Sequence, residues 1–318
     1  MSGAPAHPDP GRPGFTAWDR QASVRTAARR SFDGSEAGKA YFPQWATPYL
    51  SHPLVKALDE SARERLAIDY LYQYLLFTVR LEVEIVNDVV GRLATGATGE
   101  LPSELRAQAL RIYCDEAYHA VANLDLLEQV AEHTGVPVPP VGYGDVGARL
   151  AEIGERLLPG DPSLAEQLRV IVFETVVTSI LSEIPEDPTV FTAIRDVVRD
   201  HARDERRHHA FFITYLTVLW PRLPDRVRPA VAESIPELIH ACLRWDTRPV
   251  RASLHRAGLP PGAVETVIAQ SYGEQQVAAS LRRSARHLIR RCVHLGITTL
   301  PSGAVAFRRL RLIEEPAR

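Results

Sequence analysis

Between Val170 and Leu181 the chain reads Val-Ile-Val-Phe-Glu-Thr-Val-Val-Thr-Ser-Ile-Leu, and Glu174 is its only charged residue. A carboxylate in so apolar a segment is destined for a core, where leaving it ionised and alone costs many kcal/mol. It must be neutral, paired with a cation or bound to a metal. The nearest basic residue, Arg169, lies five positions earlier and off the same helical face. Whatever this chain folds into has to bring Glu174 a partner from elsewhere.

Suitable partners recur at helical spacing. Residues three or four apart share a helix face, so Glu116 and His119 point the same way, and His201, Glu205 and His208 form one stripe. Both sets interrupt apolar faces: Leu105, Ala109, Ile112 and Leu127 flank the first, and Val190, Ile194, Val197 and Phe212 the second. Glu82 has Leu75, Thr78, Val79, Ile85, Val86 and Val89 on its side, whereas Glu84 shares a row with Arg80 and Asp88. Glu82 therefore faces inward, and Glu84 belongs to a surface row of ion pairs. The order Glu82, then Glu116-x-x-His119, is repeated as Glu174, then Glu205-x-x-His208.

Four glutamates with two or three histidines facing one core match a carboxylate-rich site for two metal ions, in which two helices give one Glu each and two give Glu-x-x-His. Oxygen-rich ligation with imidazole suits iron or manganese better than zinc or copper. A single Glu-x-x-His is usually surface chemistry; Glu237 and His240 have that spacing with no bundle Glu to pair with, and are read as a decoy. For His201 taken alone the competing reading is a hydrogen-bonded histidine one layer out from the ions, and His209 points about a quarter-turn away, into solvent or that outer layer.

The periodicity from about residue 58 onward is helical. Main helices are expected at roughly 61–92, 102–133, 163–184 and 188–219, shorter ones near 145–157, 227–244 and 248–257, and a last long one near 263–294. Ser61 with Glu64 and Ser163 with Glu166 have capping-box spacing, and Asp187-Pro188 is a helix start with proline at the first helical position. The segment Gly135 to Gly147 serves as the long connection between two helix pairs. The fold class is thus all-α, a ferritin-like four-helix bundle with additional C-terminal helices. Residues 1–20, with four prolines, are expected to be disordered, and residues 21–318 to form a single domain.

Other classes are disfavoured. The 37 basic and 39 acidic residues are interspersed and give a net charge of −2, so no broad field exists to capture nucleic acid or an anionic membrane. The arginine-rich stretches 282–291 and 308–311 read as solvated faces. Cys114, Cys242 and Cys292 are odd in number, distant and without a C-x-x-C pair, which suits a reducing cytoplasm. The N-terminus lacks the basic and apolar regions of a signal peptide, and the run at Val170–Leu181 is about half the roughly 20 residues that span a membrane.

The segments Thr78-Val-Arg-Leu-Glu82 with Val86-Asn87, Tyr113-Cys-Asp-Glu116-Ala-Tyr-His119, Phe173-Glu174 and His201-Ala-Arg-Asp-Glu205-Arg-Arg-His208 together resemble the di-iron N-oxygenase family, typified by p-aminobenzoate N-oxygenase and the chloramphenicol-pathway arylamine oxygenase. The entry segment from Tyr41-Phe42-Pro43 to His52-Pro53 extends the likeness, which covers roughly residues 20 to 300. Its most specific element is His-x-x-x-Glu-x-x-His. The resemblance implies a metal set of Glu82, Glu116, His119, Glu174, His201, Glu205 and His208, with His201 as the added histidine ligand. It implies two Fe ions, O2 as co-substrate, and stepwise oxidation of an amine nitrogen through hydroxylamine and nitroso stages towards nitro, in secondary-metabolite (antibiotic) biosynthesis. The expected partners are a small-molecule amine, free or carrier-bound, an external electron donor or reductase, and a second copy in a homodimer. Tyr74, Thr78, Asn123, Thr178 and Phe212, each a turn or two from an expected ligand, are candidate pocket residues; ordinary core packing is the bland reading of each. Competing functions are another di-iron oxidation, such as C–H hydroxylation or desaturation, and ferroxidase or iron storage.

Overall fold

The computed structural model describes residues 17–139 and 144–313, with the side chains of 144–145, 178–180 and 274–282 outside that description. Helices α1 (Trp18–Gln21), α2 (Ser23–Thr26) and α3 (Pro53–Lys56) precede the bundle. The bundle is built from α4 (Glu60–Leu81), which continues through a π-helical turn at Glu82–Val86 into α5 (Asn87–Thr95), and from α6 (Ser103–Thr134). After α7 (Gly144–Leu157) it is completed by α8 (Pro162–Leu181) and α9 (Thr192–Leu219). Five more helices follow: α10 (Arg228–Leu243), α11 (Arg248–Arg256), α12 (Pro261–Ser271), α13 (Glu274–His294) and α14 (Pro301–Arg309).

In the bundle α4 and α5 pack on α6, α6 on α9, and α9 on α8, while α10 covers α7 and α8 and α13 lies along α8. Among the described residues, β-pairing is limited to one isolated bridge, Ala40 with Val190. The fold is therefore all-α, with four bundle helices and a helical C-terminal layer. Its apolar interior comes in two main parts. One cluster joins Val86, Val89, Ile112, Ile171 and Phe212, and the other joins Leu71, Leu75, Leu127, Ile194 and Val198. Glu82, Glu116, Glu174 and Glu205, all buried, lie between them along the sequence of every bundle helix. A polar layer thus crosses the middle of an otherwise dry bundle.

Several local expectations are corrected. The cap of α4 is Asp59, whose Oδ1 accepts the Ala62 N–H at 2.8 Å, and Asp161 likewise accepts the Leu164 N–H at 3.0 Å. Each aspartate lies two residues before the serine expected to cap, and is better placed because a carboxylate at the N-cap also meets the positive end of the helix. The expected start at Asp187-Pro188 fails: Asp187 Oδ1 takes the N–H and hydroxyl of Thr189 at 2.9 and 2.6 Å, and the Ala40 N–H bonds the Thr189 carbonyl at 2.7 Å. These bonds hold residues 187–191 out of the helix, which begins at Thr192. The expected last helix is two, parted at Tyr272 and Gly273, where Tyr272 leaves helical geometry with its ring 5.5 Å from Trp245. Helix α14 was not expected. Residues 17–20, placed in the disordered lead-in, are structured, and Trp18 is buried; residues 1–16 lie outside the described residues.

Replacing Asp59 by alanine is expected to cost about 1 kcal/mol through the lost cap, whereas Ser61→Ala should stay within about 0.5 kcal/mol, as for an ordinary surface change. Urea midpoints of the two variants, compared with the parent, check the assignment.

Candidate metal centre

Each carboxylate of the polar layer is delivered by a different local device. Glu82 stands at the head of the π turn, where the Asn87 N–H reaches back to the Glu82 carbonyl. One extra residue in the turn widens the helix there, and such bulges recur at functional sites because they re-aim side chains. Glu82 and Val86 are buried, while Val83 and Glu84 face solvent. Glu84 pairs with Arg80 at 2.7 Å on the surface. Glu116 and His119 lie one turn apart on α6, and His201, Glu205 and His208 descend the inner face of α9.

The donor atoms fall into two groups, each within 4.8 Å: Glu82, Glu116, His119 and His201, and Glu116, Glu174, Glu205 and His208. Glu116 stands in both. Its Oε2 is 3.1 Å from His119 Nδ1 and its Oε1 2.9 Å from His208 Nδ1. His201 Nε2 lies 3.2 Å from both Glu82 Oε1 and Glu205 Oε1, and its ring stacks on His119 at 4.1 Å. All seven side chains expected from the sequence are buried and brought together. Two four-donor groups that share Glu116 could hold a pair of ions.

Electrostatics test whether cations fit. Burial, followed by the charge of Glu116, pushes Glu82 well above the usual carboxylate range, and burial with Glu205 does the same to Glu174. Burial also acts upward on Glu116 and Glu205, but the imidazolium form of His208, with hydrogen bonds from the histidines, brings both below the usual range. His119 and His208 are raised despite burial by their carboxylate neighbours. Arg207 spends its charge outside it, on Asp204 and Asp115, and Glu82 Oε2 is buried without a hydrogen-bond partner. Glu82 Oε2, buried beside three further glutamates of the layer, is the kind of donor that a pair of divalent cations would take up.

Around the layer runs a set of groups that the sequence reading missed. Asp204 on α9 accepts from His119 Nε2 of α6 at 3.1 Å, and Asp115 on α6 accepts from His208 Nε2 of α9 at 3.2 Å. The two aspartates thus hold each other's helix partners, fixing the rings with Nδ1 towards the glutamates. The N-terminal segment ties both down: the Trp18 indole N–H donates to Asp115 at 2.9 Å, and the Ser23 backbone N–H to Asp204 at 3.1 Å. Burial raises Asp204, but the His119 hydrogen bond together with the charges of His119, Arg207 and His208 outweighs it and leaves a pKa of about 2. The available signal was an Asp directly before the Glu in both Glu-x-x-His motifs. Nothing in the sequence pointed to Trp18.

The remaining expected residues divide. A cavity of about 350 Å³ behind the two stacked histidines is lined by Asn123, Tyr118, Val121 and Val197, with Arg29 and Arg30 at its rim. Asn123 also donates to the His119 carbonyl at 2.8 Å. Tyr74 and Thr78 do not line that cavity; the Tyr74 hydroxyl is buried near Thr78 and Glu82. Phe212 packs against Phe211 in the core, 5.0 Å between centroids, as the bland reading had it. The side chain of Thr178 lies outside the described residues. Glu237 of the decoy pairs with Arg156 and Arg309, and His209 meets His287 at 5.5 Å, away from the layer.

A family model described as "P-aminobenzoate N-oxygenase AurF" matches residues 24–296. The 4-aminobenzoate N-oxygenase of Streptomyces thioluteus is 22% identical over 262 residues, which cover 79% of this chain and 76% of the relative.

Glu82→Gln is expected to lower metal affinity by at least the roughly 10–100-fold that loss of a ligand's hydrogen-bond partner costs, while Glu84→Gln leaves it unchanged. Elemental analysis after dialysis against a chelator measures both, and the reverse result would assign the first helix to Glu84.

Proposed function

Since the chain belongs to the p-aminobenzoate N-oxygenase family, we propose that its buried layer holds two iron ions and that it oxidises the nitrogen of an arylamine with dioxygen, through hydroxylamine and nitroso stages towards nitro. The observation that carries this reading is the third histidine. Beyond four glutamates and two Glu-x-x-His histidines, His201 places a nitrogen 3.2 Å from Glu82 and from Glu205, inside the first group of donors.

When bound, the iron pair supplies the binding and reductive activation of dioxygen. The chain's own residues make that chemistry selective. Glu116, common to both donor groups, would serve both ions, with Glu82, His119 and His201 holding one and Glu174, Glu205 and His208 the other. Burial, with His119 as its stacked neighbour, lowers the His201 pKa, keeping the ring neutral with a lone pair to offer. Asp115 and Asp204 hold protons on His208 and His119 Nε2, which leaves Nδ1 free for the ions. The two apolar clusters on either side exclude water, so oxidising equivalents are directed to a bound amine. Its seat would be the cavity behind His119 and His201, where Asn123 lines the wall. An external reductase supplies electrons, and the working unit is a homodimer. Among the described residues no helix is long and apolar enough to cross a membrane.

Product analysis settles the activity. The iron-loaded protein, reduced anaerobically and exposed to oxygen with a panel of aryl and alkyl amines, should yield N-oxygenated arylamines by mass spectrometry. Hydroxylated carbon or desaturated products would select the other di-iron chemistry, and ferric mineral without product would select iron storage.

His201→Ala is expected to keep helical circular dichroism and most of the iron, because six donors remain, yet to lose arylamine oxidation in single turnover. Unchanged turnover would reduce His201 to a structural histidine.

A further inference from the structure

Hydrogen bonds lead outward from the polar layer through two of its histidines, and they end differently. From His119 Nε2 the line runs to Asp204 and stops at the Ser23 backbone N–H and Arg207. From His208 it runs to an aromatic ring. His208 Nε2 lies 3.2 Å from Asp115 Oδ2, and the Asp115 carboxylate accepts the Trp18 indole N–H at 2.9 and 3.0 Å. Two hydrogen bonds therefore join an indole to an imidazole whose Nδ1 faces Glu116 and Glu205.

The ring stands at the edge of the protein. Trp18 keeps 9% of its area exposed, and its chain neighbours Asp19 and Arg20 are exposed. Two guanidinium groups flank the indole, Arg25 at 5.8 Å and Arg111 at 5.9 Å from its centre. The next arginines along the chain, Arg29 and Arg30, are committed to Asp125 and Asp200. Arg25 and Arg111 instead hold their charge over the ring. Electron tunnelling decays far more slowly through bonded and hydrogen-bonded atoms than across gaps between side chains, and complementary charge both speeds and orients an encounter. Two cations beside the ring also make a positively charged indole radical costly, so the indole bridges a transfer without itself being oxidised.

We propose that Trp18, Asp115 and His208 form the route by which electrons enter the iron pair, and that Arg25 and Arg111 dock their donor, a small acidic iron–sulfur protein that delivers one electron at a time. The route rests on the di-iron reading above and gives the external reductase of that reading its chemistry and its place. Each encounter oxidises the carrier by one electron and converts one ferric ion of the pair to ferrous, so two encounters reduce the pair. The indole proton stays on Nε1 throughout, already held by Asp115.

The test follows loss of ferric absorbance in anaerobic stopped flow, using the full-length, iron-loaded, oxidised protein without amine. Two donors are compared: a reduced acidic plant-type ferredoxin, and reduced methyl viologen, a small mediator that needs no docking surface. Ferredoxin-driven reduction of the parent should saturate and should slow as salt rises. Trp18→Phe should keep its iron and lose most of the ferredoxin-driven rate, so that the ratio of the two rates drops. Arg25→Glu and Arg111→Glu should each raise the ferredoxin concentration for half-maximal rate by roughly tenfold, with viologen-driven reduction as in the parent. A Trp18→Phe protein that loses iron, or that slows with both donors alike, would make the indole a structural support of Asp115 and overturn the route. A parent that ferredoxin does not reduce, or arginine variants that it reduces as readily as the parent, would overturn the docking surface. Product formed by the chemically reduced parent keeps the amine-oxidation reading standing in each of those cases, and only a parent without bound iron would remove both.

Discussion

Four carboxylates share one layer of an apolar bundle, and the surrounding structure is organised by what it takes to keep them there. Their mutual repulsion and lost hydration would each count against folding if they remained ionised without cations. The local sequence nevertheless aims them inward: Glu174 from an apolar run, Glu116 and Glu205 from apolar stripes, and Glu82 from a π turn that a regular helix would not need. Buried carboxylates and imidazoles concentrated in this way could hold metal ions.

The constraint propagates outward in shells. His119 and His208 face the glutamates through Nδ1 and need a proton held on the opposite nitrogen, and Asp204 and Asp115 hold it from the neighbouring helix. Those aspartates are themselves fully buried and need donors. Trp18, the Ser23 backbone and Arg207 supply them. A short N-terminal segment, remote in sequence, is thereby tied to both Glu-x-x-His helices, and its order is a consequence of burying carboxylates elsewhere. The arrangement also places His201 differently from the other two: its ring stacks on His119 and reaches Glu82 and Glu205, joining α4, α6 and α9 at one point.

Outside the layer, the departures from expectation have one kind of cause. At Asp59, Asp161 and Asp187 a short side chain captured a nearby backbone N–H and moved a helix boundary by one residue, one residue and four residues respectively. Capping boxes and proline starts are statements about which residues are able to begin a helix. Which one does is settled by competition between local hydrogen bonds and the neighbouring chain, as where Ala40 bridges Val190 and holds the start of α9 back to Thr192.

The sequence by itself determined the all-α class, the four bundle helices and the seven inward side chains, because helical periodicity fixes which residues share a face and burial makes a charged residue on an apolar face conspicuous. It also distinguished Glu82 from Glu84, since one lies among apolar neighbours and the other in a row of charges. Only the tertiary structure decided that the seven meet as two groups sharing Glu116, that Asp115 and Asp204 cross between helices, and that Trp18 reaches one of them. Tyr74, Thr78, Asn123 and Phe212 were equal candidates by spacing, yet they went to different places: near Glu82, beneath a cavity, and into the core. Periodicity carries information about one helix at a time. How two helices are turned and staggered against each other, and what a distant segment then finds to bond, depends on packing that no single stretch of sequence encodes.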